Sequence, residues 1–220
     1  MSIDVKRCAV SVDVRRRVIS RDFFFNNMVW VLLIAVLIIL GIFQPMFFTL
    51  KVMKNVLIQA SVMGVLTAGL SLSILLGEID LSIVGILGFS AGVGTMAMNG
   101  GFPWFLAILL IVVIGFVFGL FNGLLIAKLK AVSLIQTLAV LITLQGGLLA
   151  ITQGTSIVNF PDTYKWIGQG SIAGIPVLPV VFLLVYFGVN WMLTRTRLGR
   201  SMYAVGGNAK CAYASGIMVD

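Results

Sequence analysis

The sequence has no histidine, two cysteines, five prolines and seven acidic residues among its 220 positions. Without histidine, the usual neutral-pH general base and the commonest transition-metal ligand are both missing. Cys8 and Cys211 alone make no metal cluster, and both fall in segments expected to face the cytoplasm, where a disulfide is not favoured. No G-x-x-x-x-G-K-[ST] stretch occurs, so the chain has no phosphate cradle of that kind for ATP. Gly206-Gly207-Asn208 does not replace it: no strand precedes it, and no lysine follows in register. Glu78 and Asp80 are two residues apart and do not share a helix face, so paired-carboxylate catalysis is unsupported. No catalytic residue, metal site or cofactor is expected.

Charge is scarce as well. A tenth of the residues are charged, 60% are hydrophobic, and the mean hydropathy is +1.13. A soluble domain cannot hide that much apolar surface, and the apolar runs are too long and too weakly alternating for an outer-membrane barrel. The expected fold class is all-α: a polytopic helical membrane protein of about six transmembrane helices. The net charge of +8 does not signal nucleic acid, because the basic residues sit at the ends of apolar runs, where topology needs them.

Residues 1–27 read as a basic cytoplasmic arm carrying Lys6, Arg7, Arg15, Arg16, Arg17 and Arg21. They do not read as a convincing signal peptide, since the apolar run that follows is long and lacks an Ala-x-Ala exit. Residues 28–194 hold the predicted spans: 28–43, 55–76, 83–98, 102–127, 132–151 and 176–193. Residues 152–175 read as an external loop and 195–220 as a cytoplasmic segment. With both termini inside, twelve of the fifteen Lys and Arg residues lie on the cytoplasmic side, as the positive-inside rule asks.

Three stretches stand out. In the tail, Gly206-Gly207 permits a tight turn with φ > 0, Asn208 is a good N-cap for a short helix over 209–214, and Ser215-Gly216 would end it. Such a capped helix suits docking into a partner's groove; an ordinary basic loop is the other reading. In the second stretch, Gly77 to Ser82, Glu78 and Asp80 are the only acidic residues between Asp22 and Asp162. Ionisable groups near membrane depth are functional candidates by default, but Asp80 with Ser82 also suits capping of the next helix. In the third, Gly115, Gly119 and Gly123 form overlapping G-x-x-x-G units, read as helix packing, beside Asn122, which needs a hydrogen-bond partner. Gly85, Gly88 and Gly92 share another face suited to close approach.

These stretches resemble, in order, the signatures of permease subunits from bacterial ABC importers of the ribose and simple-sugar type. The tail matches R-T-x-x-G-R-x-x-Y-A-x-G-G-N-x-x-A-A-x-x-S-G-I at Arg195, Thr196, Gly199, Arg200, Tyr203, Ala204, Gly206, Gly207, Asn208, Ala212, Ser215, Gly216 and Ile217, departing at Cys211. Gly77, Ile79, Asp80, Leu81 and Ser82 resemble G-G-I-D-L-S-V-G, with Glu78 in place of the second glycine. Gly119 to Lys130 resembles G-x-x-N-G-L-L-V-A-K-L, and Thr137-Leu138 a T-L-G; 131–136 departs.

The resemblance implies a multi-pass inner-membrane permease subunit that translocates a monosaccharide delivered by a substrate-binding protein. It implies a second permease subunit, identical or not, and an ABC ATPase subunit that hydrolyses the ATP. Gly199, Arg200, Tyr203, Gly206, Gly207, Asn208, Ala212, Ser215 and Gly216 would couple to the ATPase. Asp80, Ser82, Asn122 and Thr137 would line the pathway or its packing. Family members continue into further spans, so the expectation is the N-terminal part of a longer permease fold. The alternatives are an ion-coupled secondary carrier using Glu78 or Asp80, and a truncated fragment.

Overall fold

The computed structural model describes residues 27–157, 160–172 and 174–219. Apart from Asn27, the predicted basic arm, with Cys8, lies outside them. The chain divides into two compact units, Met1–Asn55 and Val56–Asp220.

In the first unit, α1 (Met28–Phe43) is followed by a 3-10 turn over Pro45–Phe48. The Phe48 ring lies against Gly41, and the Phe47 and Phe48 rings meet edge to face. Sixteen residues at about 1.5 Å each reach roughly 24 Å, short of the ~30 Å hydrocarbon core. This helix is the one predicted span that is not among the helices long and apolar enough to cross a membrane.

Five other helices among the described residues are long and apolar enough to cross a membrane: α2 (Leu50–Leu75), α3 (Ser82–Asn99), α4 (Trp104–Leu129), α5 (Ser133–Thr152) and α7 (Val177–Arg195). The chain is thus a polytopic helical membrane protein. The predicted start of α2 was five residues late, since Lys51 and Lys54 lie inside its first turns rather than before it. Lys51 is exposed and Lys54 half-buried, and a long basic side chain costs little near a helix end because its charged head can stay in water.

The segment read as a plain external loop carries structure of its own. The short helix α6 (Asp162–Gln169) leads into a hairpin pairing Ser171 with Pro176 and Ile172 with Ile175, with Gly174 at φ +84° in its turn. Strands β1 (Ser171–Ile172) and β2 (Ile175–Pro176) are the hairpin arms.

The helix α3 is the hub of the second unit. A third of its most apolar window is buried, against 6% for α4, so α4 faces mostly outward while α3 is enclosed. Small residues make this possible. A Cβ on Gly85 would lie 3.1 Å from the Leu141 Cα, so α3 and α5 touch there backbone to backbone. One heptad on, Gly92 receives the Leu148 side chain, and Phe89 packs over Gly147 between them. On the α4 side, Gly94 receives Ile111, and Phe89 meets Phe118 edge to face at 5.9 Å. The third glycine of the predicted face, Gly88, has open space before it.

The Gly115 to Gly123 seam differs from its reading as packing. Only Gly115 has a neighbour, Ile86, at ordinary contact distance; Gly119 and Gly123 face nothing within 4 Å. The seam therefore meets α3 at Gly115 alone.

After α7 the chain continues as α8 (Arg197–Gly207) and α9 (Ala209–Ala214). Thr196 caps α8 by accepting from the Gly199 N–H at 3.2 Å.

Candidate functional site

The helix α2 ends in a glycine closure. Gly77 takes φ +83°, its N–H donates to the Ile74 carbonyl, and the Glu78 N–H donates to Ser73, both at 3.0 Å. This turns the chain sharply and delivers Ile79 to Ser82 against the ends of α4 and α5. Ser82 opens α3, and its N–H and hydroxyl donate to Asp80 Oδ1 at 2.9 and 2.6 Å. The capping reading of Asp80 holds: its carboxylate satisfies one of the orphan donors at the start of α3.

Around this cap the structure ties a buried polar knot. Asn122 on α4 donates from Nδ2 to Ser82 Oγ at 2.8 Å, and its Oδ1 accepts from Gln136 Nε2 on α5 at 3.4 Å. The Leu81 N–H donates to Thr137 Oγ1 at 3.2 Å, and the Ile79 N–H to Ser133 Oγ at 3.3 Å. Thr137 in turn donates to its own helix at Ser133 O, 2.8 Å away. Ser82 and Thr137 are fully buried and Asn122 is 3% exposed, yet no buried side-chain nitrogen or oxygen among the described residues lacks a partner. That completeness is what makes a polar cluster tolerable at this depth.

Asp80, Ser82, Asn122 and Thr137, drawn from three separate stretches of sequence, therefore meet in one cluster. The knot joins the C-terminal ends of α2 and α4 to the N-terminal ends of α3 and α5, as successive spans of alternating direction require. Ser133 and Gln136 belong to it too. They escaped the sequence reading because they lie in the stretch that departs from the family pattern, though Ser133, Gln136 and Thr137 form a polar stripe on one face of an apolar helix. Glu78 stands outside the knot. It lines a cleft of about 480 Å³ with Ser73, Lys130, Val205, Ala209 and Val219.

The tail keeps some expected features and corrects one. Asn208 caps α9 by accepting from the Cys211 N–H at 3.1 Å. The helix ends as α2 does: Gly216 takes φ +80°, with its N–H on Tyr213 and the Ile217 N–H on Ala212, both at 3.0 Å. Ala212 is the buried residue of α9, while Arg200, Tyr203, Ser215 and Gly216 are exposed.

The expected φ > 0 turn at Gly206-Gly207 is absent: both glycines complete the last turn of α8 in helical conformation, and the chain breaks at extended Asn208 instead. The two glycines also differ. A Cβ on Gly207 would meet nothing within 4 Å, whereas a Cβ on Gly206 would collide with the carbonyl of Leu75. Gly199, likewise, is buried against the backbone of Met192 and Leu193, where no side chain fits.

The exposed apolar residues of this tail, Leu198, Tyr203, Tyr213 and Met218, stand on segments beyond the last span. No group of three or more metal-binding side chains occurs among the described residues.

Comparison with known proteins adds the following. A family model described as "Branched-chain amino acid transport system / permease component" matches residues 52–220. Similar curated proteins include the ribose import permease protein RbsC of Haemophilus influenzae, 31% identical over 203 residues that cover 90% of this chain and 62% of the relative. The Bacillus subtilis protein of the same name is 37% identical over 190 residues, 85% of this chain and 59% of the relative. The autoinducer 2 import system permease protein LsrC of Photorhabdus laumondii is 30% identical over 198 residues, 89% of this chain and 60% of the relative. The chain thus spans about three fifths of the length of these relatives. No solved structure matches.

Proposed function

Because the chain belongs to the branched-chain amino acid transport system / permease component family, we propose that it is the membrane-spanning subunit of an ATP-driven importer in a bacterial inner membrane. The cargo is a monosaccharide or a compact sugar-like molecule, in keeping with relatives named for ribose and for autoinducer 2. The motor is a separate ABC ATPase, so this chain itself is not an enzyme. A binding protein delivers the cargo on the far side, and a second permease subunit, identical or not, completes the path.

One observation carries this reading beyond family membership. The chain leaves its last span as two short capped helices that expose Leu198, Tyr203, Tyr213 and Met218. Apolar and aromatic side chains on a compact helical projection outside the membrane suit insertion into a groove of a partner protein. The flanking Arg195, Arg197, Arg200 and Lys210 favour the cytoplasmic side for the projection, where ATP is available. Asp80 serves the cap of α3 in this reading, and the knot holds the spans that line the path.

The test is a mild-detergent pull-down of the tagged chain from its native membrane, followed by mass spectrometry. An ABC ATPase is expected in the eluate, and its yield should fall when Tyr203 and Tyr213 are both changed to Ser. An eluate with no ATPase at all would count against the importer reading.

A further inference from the structure

The geometry points to a mechanical joint between Gly206 and Leu75, through which the position of the tail is transmitted to the buried polar knot. The relevance of the joint to transport rests on the docking role proposed above, but its existence does not, and the two fail separately.

The argument begins at the end of α2. The closure at Gly77 engages the carbonyls of Ser73 and Ile74. The Leu75 carbonyl, the last of the helix, is the one directed at Gly206, whose absent side chain lets the α8 backbone settle upon it. Backbone against backbone has no rotamer with which to absorb a displacement. A shift of α8 is therefore passed to α2 or the contact is lost.

From Leu75 onward there is little slack. The two closure bonds at Gly77 and Glu78 fix the turn. Ile79 and Leu81 are then held to Ser133 and Thr137 on α5, and Ser82 to Asn122 on α4. Only three residues separate Leu75 from Ile79. A tail pushed from outside thus reaches the ends of three spans along a short, fully bonded path. A Cβ on Gly207, one residue on, would meet nothing within 4 Å, so that glycine lies off the path.

Peptide-resolved hydrogen exchange on the full chain in lipid nanodiscs, with no ATPase present, tests the joint. Gly206→Ala should accelerate exchange roughly tenfold in peptides covering Ile79 to Ser82. The distant end of α3, around Thr95 and Met98, should be unaffected, which a general loosening would not spare. Gly207→Ala should resemble wild type throughout. Equal traces for the two variants, or a Gly206→Ala effect confined to the tail, would overturn the joint.

If Gly206→Ala does not fold, the reciprocal experiment decides. A contact that transmits must do so both ways. The double variant Ser133→Ala, Thr137→Val should accelerate exchange in the peptide covering Ala204 to Asn208, and no change there would overturn the proposal. In a cell that assembles the importer, Gly206→Ala should leave the ATPase bound while uptake per ATP hydrolysed falls. A wild-type pull-down without ATPase would sink the functional reading and leave the exchange result standing.

Discussion

Asn122 and Ser82, forty residues apart in sequence, share a 2.8 Å hydrogen bond inside the bundle, and the Ser82 hydroxyl in turn donates to Asp80 Oδ1 at 2.6 Å. Each group is both supported and supporting, so removing one strands the others. Asn122→Leu should lower stability by about 1–3 kcal/mol, the cost of leaving buried polar atoms unmatched. Ser82→Ala should cost a similar amount, and the double variant clearly less than the sum. A double-mutant cycle on thermal unfolding in one fixed detergent reads this; strict additivity would show that the bond does not bear on stability.

Three glycines on the same helix should respond differently to the same methyl group. At Gly85 the obstruction is the Leu141 backbone, which cannot turn aside, and Gly85→Ala should cost about 1–3 kcal/mol. At Gly92 the nearest atom is the tip of Leu148, which can rotate away, so Gly92→Ala should cost less. Gly88→Ala, facing open space, should stay within about 0.5 kcal/mol of wild type. The same unfolding assay ranks them, and a larger loss at Gly88 than at Gly85 would refute the packing described here.

The short helix α9 has one side-chain cap, Asn208. Asn208→Ala should destabilise it by about 0.5–2 kcal/mol, while Asn208→Asp should retain the cap. Faster amide exchange at Cys211 in the alanine variant alone is the expected signature. The ATPase yield of the pull-down should follow the same order.

On the far side of the bundle, Lys165 donates to Asp162 at 2.8 Å. This hydrogen bond, together with the lysine charge, holds the Asp162 carboxyl below its ordinary value of 3.8. A depressed carboxylate contributes stability above that ordinary value and loses it as pH falls through the lowered one. The pair is exposed, so the contribution is small and screened by salt. Lys165→Met should return the Asp162 midpoint toward 3.8, as followed by carboxyl carbon NMR; an unmoved midpoint would deny the lysine its role.

Local chemistry made much of this structure readable beforehand. Long apolar runs bounded by Lys and Arg announced the spans, and the Asn208 cap and Gly216 stop of α9 follow from side-chain size and backbone preference alone. Asn122 was legible as a polar residue needing a partner at apolar depth, Asp80 with Ser82 as a helix cap, and Thr137 only through the family pattern. That they would partner one another was not, because pairing across forty residues depends on how the helices pack. Gly206 and Gly207 show the same limit. Adjacent glycines suggest a turn, and only the carbonyl of Leu75 tells them apart: one is there for closeness, the other stands in open space. The structure in 162–176 was hidden for a different reason, since an eight-residue helix and a hairpin of two residue pairs are too short to stand out from a loop.

The helix α3 is the enclosed hub, built from small residues and burying Ser82, Ser90 and Thr95. It is also the least apolar of the five long helices. A segment of that kind partitions weakly into lipid by itself, whereas α4, the most apolar, enters readily. During synthesis α3 emerges first and has neither of its neighbours. Its residence in the bilayer is thus secured retroactively, when α4 and α5 arrive and give its hydroxyls and glycines something to touch. The order of assembly is written into the helix that looks most settled at the end.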